Sequence, residues 1–140
     1  MIGKARTVVV LSAAVALSGC AGGGPAPEVV AEASALSGVI PPPHAQVLGA
    51  ACERGRDQLC KFAVAVDAAQ LEPLLAASDF TAELVPGKSA SMLPVEGVEP
   101  GPRIASGEDQ VVHQQTANRE ILVDRTNPAR PVVHVWAFTT

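Results

Sequence analysis

Two β-branched runs close the chain, residues 120–124 (EILVD) and 131–139 (PVVHVWAFT), around a six-residue turn that contains Asn127-Pro128. That arrangement predicts an antiparallel hairpin. On the last run Val133, Val135 and Ala137 share one face, and Val132, His134, Trp136 and Phe138 share the other. Both faces are largely apolar, which places this strand inside a sheet covered on two sides. Pro131 suits the first position of such a strand, where a missing N–H does least harm.

Upstream, residues 46–66 read as a second hairpin. A weak run of small residues at 46–52 leads into a turn with Gly55 and Asp57. Phe62, Val64 and Val66 then alternate with Lys61, Ala63 and Ala65. A short helix over 44–53 is the alternative. Residues 67–78 predict a helix: Asp67 is a cap, Gln70 has the capping-box spacing, and Leu71, Leu74, Leu75 and Ser78 share a face. Pro73 inside it points to a regular start near Glu72. Short strands are expected at 80–85 and 111–114. Between them, 88–107 has no period and three prolines, and reads as mobile surface. The expected fold is α+β: a small, mainly antiparallel sheet of four to five strands, one short helix on one face, and the C-terminal hairpin.

The front of the chain has a different logic. Lys4 and Arg6 precede an uncharged run over 7–17, then Ser18, Gly19 and Cys20. This is the layout of a secretory leader, with an apolar run far short of the ~20 residues that span a bilayer. Leu17-Ser18-Gly19-Cys20 resembles the lipobox of bacterial lipoproteins. That resemblance implies cleavage before Cys20, a diacylglyceryl thioether on its sulfur and acylation of the new amine. Acyl chains of the palmitate class, at ~0.8 kcal/mol per buried methylene, would hold the chain on a membrane. It also implies export to the outer face of the cell membrane, or to an outer membrane where one exists. Residues 1–19 are then a removed leader, 20–45 a lipidated Pro/Gly/Ala-rich tether, and 46–140 the domain, with a mobile loop at 86–109. A turn or two of helix is possible within the tether at 29–36.

With Cys20 assigned to the anchor, Cys52 and Cys60 remain as a pair. In an oxidising compartment the expectation is a disulfide, with free thiols or a metal as alternatives. No histidine completes a metal site, and no cofactor is expected. The chain is acidic, with net charge −4, and loses Lys4 and Arg6 with the leader. Charge-driven binding to nucleic acid is therefore excluded. There is no G-x-S-x-G elbow and no phosphate-cradling glycine loop after a strand. His134 is expected to be packed and hydrogen-bonded, and a His113–His134 site across adjacent strands is geometrically open.

Arg119, Asp124, Arg125 and Arg130 gather around the final hairpin. They read either as a surface ion-pair cluster or as an anion or partner site. The C-terminal stretch NREILVDRTNPARPVVHVWAFTT resembles small uncharacterised envelope proteins of actinobacteria, and carries no functional residues with it. The functional expectation is a non-enzymatic, lipid-anchored envelope protein that binds a partner. The alternative is a carrier of a small apolar ligand, in a pocket lined by Leu71, Leu75, Phe80 and Trp136. A small hydrolase ranks last.

Overall fold

The computed structural model describes residues 24–112 and 115–140. The element order is α1 (Pro27–Ser37), β1 (Gln46–Arg54), β2 (Gln58–Ala65), α2 (Ala68–Ala77), β3 (Val85–Pro86), β4 (Ile104–Val112), β5 (Thr116–Asp124) and β6 (Val132–Phe138). The strands form one antiparallel sheet in the order β1-β2-β6-β5-β4-β3. The α+β expectation holds, with six strands where four to five were expected. β6 lies between β2 and β5, the interior place its two apolar faces demand.

Register sorts the side chains onto two faces. Phe62, Val135 and Ile121 align across β2, β6 and β5, and with Val64, Val133 and Val123 they form the first face. α1 crosses this face over β1, β2, β6 and β5, and buries Ala33 and Leu36 there. So the helix that covers the sheet lies within 20–45, the segment expected to be a tether, and Pro27–Ser37 is part of the folded domain. The local reason is plain. Pro27 opens the helix, where its missing N–H is harmless. Gly38 closes it at φ 71°, donating its N–H to Ser34 O at 2.8 Å. Ala33 and Leu36 are three apart, so both point to the sheet.

α2 contributes Leu71 and Leu74 to the same core. It starts at Ala68, with Gln70 Oε1 accepting the Asp67 amide at 3.1 Å. Pro73 lies inside the helix, not in its first turn. Pro73 and Ala69 are both exposed, so water can serve the carbonyl that the proline leaves free. The 80–85 strand shrinks to Val85–Pro86. Before it, the chain crosses β4 so closely that a Cβ on Gly107 would collide with Glu83 O.

The expected loop at 86–109 is shorter in the structure: residues 104–109 belong to β4, and 88–103 run as a strap over the second face. Trp136 Nε1 donates to Leu93 O at 2.9 Å, and Lys61 Nζ to Pro94 O at 3.2 Å. Gly101 N donates to Asp124 at 2.8 Å, and Ser106 Oγ to Lys88 O at 2.8 Å. Val95 is buried against Gly49 of β1, where a Cβ would not fit.

Cys52 and Cys60 are directly opposite on β1 and β2 and form a disulfide. Reduction, or C52A/C60A, should lower the unfolding free energy by about 2–3 kcal/mol in the chain-entropy model, measured by urea denaturation with and without reductant. An unchanged midpoint would show that the hairpin holds its register without the bridge.

Candidate functional site

Three places carry enough chemistry to be weighed: a buried arginine on the first face, a polar row under the strap, and an apolar groove beside β1.

Arg119 is the first. It lies on β5 and is fully buried. Nε and Nη2 form a two-pronged pair with Asp109 on β4, at 2.8 and 2.7 Å. Nη1 donates to Ser37 O at the end of α1 and to Ser78 O at the end of α2, both at 2.7 Å. Its guanidinium sits 5.5 Å from the Phe80 ring centre. Helix C-termini carry partial negative charge, so one cation serves both. With the guanidinium enclosed and paired, it presents nothing to a ligand. Arg119→Ala strands the buried Asp109 carboxylate and two carbonyls, and should cost about 3–5 kcal/mol of stability. Arg119→Lys should fall between, because an ammonium lacks the planar fork. Chemical denaturation of both variants measures this.

The other members of the expected partner cluster scatter. Asp124 faces the strap on the opposite side of the sheet from Arg119, taking hydrogen bonds from Gly101 and Thr126. Burial pushes its carboxyl up, but those bonds and the nearby His134 outweigh it and hold the carboxyl below its ordinary range. Arg125 is exposed, and Arg130 pairs with Asp67 at 2.7 Å. The structure does not assemble these four residues into one site. Nor does it assemble the expected apolar pocket, since Leu71 and Phe80 pack on the first face and Trp136 on the second.

Under the strap, Glu120 lies opposite Trp136 and Glu108 across the sheet. Ser91 donates its N–H to Glu120 Oε1 at 2.9 Å, and its hydroxyl lies 3.2 Å from both carboxylate oxygens. Burial, then the hydrogen bond with Glu108, pushes the Glu120 carboxyl up, and Ser91 offsets part of this. A pocket of about 310 Å³ opens here between Ser91, Met92, Glu108 and Phe138. Ser91 is tied to this carboxylate, so the arrangement clamps the strap to the sheet.

His134 sits further along β6, between Ala63 and Leu122. It is buried and stacked near Trp136, with ring centres 6.1 Å apart, and neither ring nitrogen has a hydrogen-bond partner among the described residues. The expectation of a packed histidine holds, and the expected hydrogen bond is not found among the described residues. The His113–His134 pairing falls outside the described residues. Burial pushes the His134 pKa below 6.5, with Asp124 opposing. The fold therefore holds the ring neutral, while the unfolded chain protonates it near pH 6.5. Stability should drop as pH falls below about 6.5, by up to about 1.4 kcal/mol per pH unit until the folded group titrates. His134→Leu should flatten that part of the pH–stability curve, measured by denaturation between pH 7 and pH 5.

The sole ligand-type cluster of at least three His, Cys, Asp or Glu among the described residues is Glu32 with Cys52 and Cys60. The two sulfurs are bridged, and Glu32 is engaged by Arg54 at 2.7 Å and Gln58 at 2.8 Å, so the set is not a metal site in this state.

The third place is open. A groove of about 840 Å³ runs between α1 and the start of β1. Val30, Ala31, Ile40, Pro41 and Val47 are among its walls, and no charged residue lines it among the described residues. It begins at Gly24 and Pro25, which also border a smaller groove on the other side of β1. The sequence signal was the apolar content of 25–45, read there as tether. No protein-family model, curated protein or solved structure matches the chain. Among the described residues no helix is long and apolar enough to cross a membrane.

Proposed function

We propose that the chain is a lipid-anchored protein of the bacterial cell envelope, acylated on Cys20, whose domain acts by binding and not by catalysis. The observation that carries this reading is Leu17-Ser18-Gly19-Cys20 directly after a short apolar run with basic residues before it. The Cys52–Cys60 disulfide suits an exported domain. The polar groups that would attract a catalytic reading are engaged in structure: Arg119 by two helix ends and Asp109, Glu120 by Ser91, and Asp124 by Gly101. The site is the outer face of the cell membrane, or of an outer membrane. The partner is an envelope component.

A second reading, a carrier of small apolar ligands, is favoured by the uncharged groove between α1 and β1. It differs from the first in requiring that groove to take up free ligand.

Mass spectrometry of membrane-extracted protein should show a chain that begins at Cys20 and carries acyl mass there. Cys20→Ser should lose that mass and leave the membrane fraction. An unmodified N-terminus in the culture medium overturns the anchor.

A further inference from the structure

We propose that the face formed by α1 and the start of β1 docks directly on the bilayer that holds the Cys20 acyl chains. The inference rests on the anchor reading above. It replaces a domain that stands off on a long tether with one that lies on the membrane.

Chain length makes the first argument. Gly24 is packed beside β1, where a Cβ would meet Val47 O at 3.1 Å. Cys20 is only four residues upstream. At about 3.3–3.6 Å per extended residue, the lipidated Cα lies within about 14 Å of Gly24. A diacylglyceryl thioether sits at headgroup level, so the part of the domain around Gly24 cannot leave the membrane surface. The surface nearest the lipid is the one that meets it.

Chemistry makes the second. Of the two grooves that Gly24 borders, the one between α1 and β1 has no charged side chain among its described lining residues. Ile40 stands on its rim with 71% of its area exposed, whereas the groove on the other side of β1 carries Glu53, Lys61 and Glu96 and suits lipid less. An apolar rim held at a headgroup layer gains by burying itself at the headgroup–acyl boundary. The chain as a whole is acidic, so charge attraction to anionic lipid contributes nothing. Docking is therefore apolar, indifferent to salt, and independent of anionic headgroups.

The test uses the acylated full chain in phosphatidylcholine vesicles. A nitroxide is placed at Ile40→Cys, and in a second protein at Val112→Cys, an equally exposed position on β4. The bridged pair and the thioether leave only the introduced thiol to label. The label at position 40 should become accessible to oxygen from the lipid phase and lose access to a water-soluble nickel chelate several-fold. The label at 112 should stay in water. About 1 M NaCl, where the Debye length is about 3 Å, should change neither.

If acyl mass is present but the label at 40 is as wet as the label at 112, docking is overturned and the anchor stands. A label at 40 shielded from both reagents means that a second copy or another protein covers the groove, which also overturns it. Absence of acyl mass on the purified chain overturns the anchor and, with it, this inference.

Discussion

A single buried cation holds the first face together. The Arg119 guanidinium reaches four acceptors on three elements besides its own strand: both oxygens of Asp109, and the carbonyls that end α1 and α2. A chain rich in alanine and glycine has few large side chains with which to position two short helices. One rigid fork does part of that work, because its geometry specifies direction as well as contact. Such a group is indifferent or unfavourable in net charge burial, yet once the fold is built around it, its removal leaves several polar groups unpaired.

The second face is organised by the same kind of contact. The strap at 88–103 has no regular structure of its own, so its backbone groups need partners elsewhere. Trp136, Lys61, Glu120 and Asp124 supply them from the sheet. Both faces of β6 are thereby buried, and His134 is enclosed with no partner for either nitrogen among the described residues. The polar residues that looked like chemistry in one dimension are structural in three. At the rim of the sheet, α1 and β1 leave a groove with no charged residue among its described lining, the surface nearest the proposed anchor.

Much of this was legible from local pattern. The two hairpins, the central place of β6, α2 and the cysteine pair all follow from alternation, turn residues and parity. β4 was legible only at its C-terminal end. Its face toward α2 carries Ala105, Gly107, Asp109 and Val111, and only Val111 reads as a large buried side chain. Asp109 is there for Arg119, and Gly107 for the segment that crosses it. α1 was read as spacer because prolines and glycines flank it, and its two buried apolar residues, Ala33 and Leu36, are too few for a clear stripe. The apparent ion-pair cluster dissolved because Arg119 and Asp124 are five apart on one strand, and so point to opposite faces.

The sequence by itself determined the strand-forming segments, the disulfide pair and the motif at Cys20, because each depends on neighbours within a few residues. Tertiary structure decided which helix covers the sheet, where 88–103 lies, and which charged residues are buried. Those outcomes depend on partners dozens of residues away: Arg119 with Ser37 and Ser78, Trp136 with Leu93, Gly49 with Val95. No local pattern of charge or hydropathy records such a pairing, since the carbonyls that complete it look the same at every position of the chain.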